Sequence, residues 1–138
     1  MVNSRDIAEL HPKVREMAEA LLILCKDKGI DVILTSTYRD KESQDALYAQ
    51  GRTTPGKKVT NAKGGQSMHN WRVAFDLVPV INGKAVWNDD NLWNRVGEIG
   101  ESVGLEWGGR WSKFIDKPHL QFTQGLTLAD FNAGKMIT

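Results

Sequence analysis

The chain has one cysteine in 138 residues, which excludes an intrachain disulfide, a cysteine-based zinc cluster and a CxxC redox pair. Cys25 falls inside an amphipathic pattern and reads as a small buried hydrophobe. An excess of either charge is lacking too. The 18 lysines and arginines face 17 acidic residues, and a formal net charge of +1 argues for neither nucleic acid nor an anionic membrane surface as partner. Long apolar runs are missing. The longest is "ALLIL", Ala20 to Leu24, with Cys25 following, far short of the roughly 18 residues of a membrane span. The opening "MVNSRDIAELHPKVREMAEA" lacks the basic start, apolar stretch and small-residue cleavage site of a secretory signal. The expectation is a soluble protein made in the cytoplasm, without stable membrane association. At this length, with 41% hydrophobic residues and no repeat or linker, residues 1–138 are expected to form one domain.

What is present has clear periodicity. Val14, Met17, Ala18, Leu21, Leu22 and Cys25 lie on one helical stripe, with Pro12 suited to the first turn and Gly29 to the C′ position. "IDVILTSTY", Ile30 to Tyr38, is rich in β-branched residues and reads as a core strand. Asp40 can cap a short helix ending before Gly51, and residues 52–66 form a long loop of the kind that is usually functional or mobile. Asn82-Gly83 signals a hairpin after "VAFDLVPVI". A helix capped by Asp89 or Asp90 points Leu92, Val96, Ile99 and Val103 inward, with Gly97 and Gly100 permitting close packing. After "LEWGGRW", "HLQFT" alternates like a strand behind Pro118. The predicted fold class is α+β, a small mostly antiparallel sheet flanked by helices.

Three histidines are few enough to weigh singly. His69 and Asp76 stand seven residues apart in "SMHNWRVAFD", an axial offset of about 10 Å in a helix and over 20 Å in a strand. A strand ending at His69, a turn through Asn70, Trp71 and Arg72, and a returning strand would bring the pair together. Asp76 is also the only charge in an apolar run and needs a partner. Taken alone, the pair is more simply a surface histidine and an aspartate bonded to a nearby base. His119, at the start of a second apolar strand in "DKPHLQF", shifts that balance. Two histidines and an aspartate leave a fourth position of tetrahedral zinc open, the pattern of a catalytic site. Ligand type alone also admits manganese or iron. His11, ahead of Pro12 at a helix start, reads as structural.

Hydrolysis needs a group that takes a proton and returns it, and Asp116, three residues before His119, is placed for that; an ordinary turn aspartate is the alternative. Arg39, at a strand-to-helix junction, can offer a fixed guanidinium to an oxyanion, or else pair with Asp40 or Glu42 at the surface. Trp107 and Trp111 either line a groove or pack in the core.

Four blocks in order, "TSTYRDKESQDALYAQGRT", "SMHNWRVAFDL", "EWGGRW" and "DKPHLQF", resemble the zinc peptidases of the VanY-like D-alanyl-D-alanine carboxypeptidase and L-alanyl-D-glutamate endopeptidase group, which includes phage endolysins. The resemblance spans roughly Thr35 to Phe122, with "LHPKVREMAEALL" similar to the family's opening helix. It implies a Hedgehog/DD-peptidase-like fold and a Zn²⁺ cofactor held by His69, Asp76 and His119. It also implies Asp116 as catalytic base, Arg39 orienting a substrate carbonyl or carboxylate, and substrate contact by Ser67 and, in the groove reading, Trp107. The implied partner is the peptide stem of bacterial peptidoglycan, cut by a monomer without a separate wall-binding domain. L-alanyl-D-glutamate endopeptidase activity is the first expectation, with D-Ala-D-Ala carboxypeptidase or a non-catalytic peptidoglycan-binding zinc module as alternatives. Two positions depart from the family pattern. Arg72 stands where H-x-x-G-x-A-x-D usually has glycine, so the turn is expected to adopt a geometry that arginine tolerates, and Arg110 stands where an acidic residue is common.

Overall fold

The computed structural model describes residues Met1–Thr138. Helix α1, Pro12–Asp27, begins at an N-cap formed by His11, whose Nδ1 accepts from the Lys13 amide, and ends with Gly29 at a φ of 73°. Val14, Ala18, Leu21 and Cys25 are its buried stripe, as the spacing predicts. Strand β1, Asp31–Ser36, follows, and then α2, Lys41–Ala49, capped by the Asp40 carboxylate accepting from the Ser43 amide. A single 3₁₀ turn, Met68–Trp71, leads into the longest strand, β2, Ala74–Ile81. The Asn82-Gly83 turn, both residues at positive φ, returns the chain as the short β3, Lys84–Ala85. Helix α3, Asp90–Ser102, is capped by Asp89. The chain closes with β4, Glu106–Trp107, β5, His119–Gln121, and a short α4, Leu128–Asn132.

The sheet order is β1-β2-β5-β4 with β3 paired beside β2, and every ladder is antiparallel. Helix α1 packs on α3 and β1, and α3 on β4 and β2, over a core of 19 buried residues. Two expectations need correction. β1 is an edge strand with Ile33 exposed rather than a core strand, because its only ladder is the one to β2. His69 does not end a strand; it lies in the 3₁₀ turn ahead of β2. Helix α4 carried no apolar period that would announce it, only the capping residue Thr127, whose hydroxyl accepts from the Asp130 amide.

Within β2, Asp76 alternates with Phe75 and Leu77, so it leaves the sheet on the face opposite those fully buried side chains. In β5, His119 and Gln121 share a face while Leu120 turns into the core against α3. The β2–β5 register sets Asp76 directly opposite His119.

Candidate metal centre and catalytic cleft

The 3₁₀ turn that delivers His69 is held from both ends. Ser67 caps it, its hydroxyl accepting from the His69 amide, while the buried Asn70 amide donates to the Arg39 carbonyl and its oxygen accepts from Gly65. The turn closes at Arg72, whose φ of 63° is left-handed. The turn therefore keeps the geometry that favours glycine, contrary to the expectation from the Arg72 substitution. The side chain is anchored instead: Nη1 donates to the Glu9 carbonyl and carboxylate, and the guanidinium lies 3.7 Å from the Tyr38 ring centroid.

The result is a convergence that residue spacing alone left open. Asp76 Oδ1 lies 3.2 Å from His69 Nε2 and 3.2 Å from His119 Nδ1, and the three donor atoms all fall within 4.8 Å of one another. Both imidazoles are occupied on their outer sides. His69 Nδ1 donates to the Thr37 carbonyl at 2.9 Å, and His119 Nε2 sits 2.8 Å from Gln121 Oε1. With those nitrogens carrying the protons, the inner nitrogens turn their lone pairs toward the carboxylate oxygen. Three electron-pair donors facing one point without a proton between them fit a divalent cation. Burial alone would raise the Asp76 carboxyl, but without a cation the inner nitrogens of His119 and His69 carry protons, and their hydrogen bonds and positive charge outweigh burial and hold Asp76 well below the ordinary carboxylate range, so a bound cation takes the place of those protons.

These groups open on a cleft of about 650 Å³ walled by β1 and α2 on one side, by Val59, Thr60, Ala62 and Gln66 of the long loop, and by Trp111 and Asp116 opposite. The loop is tied down rather than free, since Gln44 Nε2 donates to the Ala62 carbonyl, Arg52 to the Thr60 carbonyl, and the Gly64 amide to Asp45. Asp116 lines the cleft with its side chain about half exposed, one carboxylate oxygen 3.9 Å from His119 Nδ1. Burial lifts its carboxyl above the ordinary range, with the nearby charge of Asp76 adding and that of His119 opposing. Arg39 is not a surface arginine. Its Nη1 donates to Gln44 and Nη2 to Ser36, its Nε is buried without a partner, and burial lowers its pKa while the charge of Asp76 offsets part of that.

Of the two tryptophans, only Trp111 faces the cleft. Trp107 is 3% exposed, and the substrate-wall expectation for it is corrected. A Cβ on Gly97 or Gly109 would strike its indole, so these glycines form the slot it fills. From there its Nε1 donates to the Lys117 carbonyl at 2.8 Å, while Gly108 lets the backbone of Asp116 approach closely. Trp107 thus supports the turn that presents Asp116. Ser67 lines the cleft, its hydroxyl already engaged as the cap of the 3₁₀ turn. Gln44 and Gln121, both buried, escaped the reading of the sequence; the only signal for Gln121 was its position two residues after His119, on the same strand face.

Residues 60–122, which hold all three donors and Asp116, match the family described as D-alanyl-D-alanine carboxypeptidase. Over 123 residues, 83% of this chain and 74% of the other protein, the chain is 42% identical to the peptidoglycan L-alanyl-D-glutamate endopeptidase CwlK of Bacillus subtilis (strain 168). The chain belongs to the D-alanyl-D-alanine carboxypeptidase family. A second relative, the L-alanyl-D-glutamate peptidase of Listeria phage A118, is 32% identical over 124 residues, which make up 85% of this chain and 39% of the phage protein. Among solved structures, the L-Ala D-Glu endopeptidase ChiX of Serratia marcescens superposes with a TM-score of 0.64 at 18% identity, covering 91% of this chain and 86% of that one. At that identity the likeness speaks for the shared fold.

Proposed function

We propose that this chain is a zinc-dependent peptidase that cuts the stem peptides of bacterial peptidoglycan at the L-alanyl-D-glutamate bond. The observation that carries the reading is the convergence of His69, Asp76 and His119 on one point of a cleft that Asp116 and Arg39 also line. Two imidazoles and one carboxylate are the donor set of a catalytic zinc site rather than a closed structural one. When bound, zinc supplies Lewis-acid polarisation of a carbonyl and makes water more acidic. Asp116, a half-exposed carboxylate in the cleft beside the converging donors, accepts the proton of the attacking water and hands it to the leaving amine nitrogen. Arg39, tethered through Gln44 and Ser36, keeps further N–H donors for the substrate's carbonyl or carboxylate oxygen. Ser67 is assigned a substrate contact through whatever acceptor capacity its cap leaves, and Trp111 takes the wall position.

Endopeptidase action is chosen over carboxypeptidase action because the CwlK and phage relatives both bear the L-alanyl-D-glutamate name. Residues 1–138 are read as one catalytic domain that acts as a monomer. We read it as endolysin-like, made inside a bacterium and acting on the cell wall. Digesting purified peptidoglycan with the zinc-loaded protein and sequencing the new termini by mass spectrometry tests it. New N-terminal D-glutamate is the expected product. Released D-alanine would replace the reading by carboxypeptidase activity, and no release from a folded, zinc-loaded protein would overturn both.

A further inference from the structure

We infer that Gln121, held in one amide orientation by Glu106, is a positioning residue that fixes the tautomer of His119 and thereby sets the zinc affinity of the site. The inference rests on the zinc reading of His69, Asp76 and His119. The two imidazoles are oriented by different means. His69 bonds outward to a backbone carbonyl, which has only one polarity to offer. His119 bonds outward to a side-chain amide, which can present either its oxygen or its NH₂. Reversing that amide would move the imidazole proton to Nδ1, the nitrogen facing Asp76, and close the metal side of the ring.

Glu106 decides the orientation. It lies directly opposite Gln121 in the β4–β5 ladder, and its Oε2 is 3.3 Å from Gln121 Nε2. A carboxylate only accepts, so the glutamine NH₂ turns toward it and Oε1 is left facing His119 at 2.8 Å. The same Oε2 accepts from Trp111 Nε1 at 2.8 Å, and the Trp111 ring stands 5.3 Å from the His119 ring. One carboxylate oxygen therefore holds both the amide that orients a metal-facing imidazole and the indole that walls the cleft. Outer partners of metal-binding histidines typically carry a 10- to 100-fold effect on metal affinity.

The test measures zinc dissociation constants by competition with a chromogenic chelator, together with ¹⁵N chemical shifts of His119, for the wild type, Gln121→Met, Glu106→Met and Glu106→Gln. Gln121→Met keeps the side-chain length but removes the acceptor and should weaken zinc binding about 10- to 100-fold. Glu106→Met should weaken it too, and in the zinc-loaded protein the ¹⁵N shift of His119 Nε2 should move as its hydrogen bond to the Gln121 oxygen is lost. Glu106→Gln still offers an oxygen acceptor and should restore both readouts toward wild type. Glu106 is exposed, so its variants carry the test if Gln121→Met does not fold. Folded Gln121→Met, or Glu106→Met in its place, with wild-type zinc affinity and wild-type ¹⁵N shifts of His119 in the zinc-loaded protein would overturn the inference and leave the zinc site standing. A wild-type protein that binds no zinc would overturn the zinc reading itself.

Discussion

Arg72 carries a backbone conformation that costs an L-residue about 1–2 kcal/mol and offsets it with an exposed ion pair and a stacked aromatic ring, each worth up to about 1 kcal/mol. The two sides nearly cancel. Arg72→Gly, which removes the strain and the contacts together, should stay within about 1 kcal/mol of wild type, whereas Arg72→Ala keeps the strain and should lose roughly 1–2 kcal/mol in urea denaturation at fixed zinc. Asp116 makes a separate prediction at the same scale. It lines the cleft but is not among the three converging donors, so Asp116→Ala should bind zinc as wild type does and lose about 10²- to 10⁴-fold in kcat on peptidoglycan fragments. Unchanged turnover would remove it as the base.

At the scale of elements, the caps and the helix–strand contacts set what each segment can tolerate. Alanine at position 97 would favour helix α3 by about 1 kcal/mol in propensity, yet its Cβ would collide with the Trp107 indole. Gly97→Ala should therefore destabilise by about 1–3 kcal/mol in thermal unfolding, and because Trp107 holds the Lys117 carbonyl, activity should fall as well. Asp40 ties α2 to the amino-terminal segment: the Ser43 amide, first, and the Val2 amide hold its carboxyl below the ordinary range. A depressed folded-state pKa gives stability that is complete above the ordinary carboxylate value, about pH 4, and is lost as pH falls through the depressed one. Asp40→Asn, which caps without titrating, should show a shallower loss of stability than wild type on acidification below about pH 4. Helix ends were readable because Pro12, Gly29, Asp40 and Asp89 act within one turn of where they stand. The edge position of β1 was not, because a run of β-branched residues reads the same in an edge strand and a central one.

Across the whole molecule, the candidate centre joins three segments: the 3₁₀ turn through His69, β2 through Asp76 and β5 through His119. A metal that binds the folded chain and not the unfolded one stabilises it by mass action, about 2.7 kcal/mol at a hundred times the dissociation constant. Stripping zinc with a chelator should lower the melting temperature, readdition should restore it, and His119→Ala should show neither response. Residue identity and order along the chain were enough to single out His69, Asp76, His119, Asp116 and Arg39 as candidates, Asp76 and His119 because polar side chains in apolar strands demand partners, and the others because of the chemistry a hydrolytic site needs and the resemblance carried by four ordered blocks. They were enough, too, for the ends of α1, α2 and α3 and for an antiparallel α+β sheet. Only the tertiary structure decided that Asp76 stands opposite His119, 43 residues away, that Trp107 is core while Trp111 faces the cleft, and that Gln121 and Glu106 stand behind the His119 imidazole. The physical reason is that such placements follow from strand register and side-chain packing between distant segments, and local spacing carries no record of either.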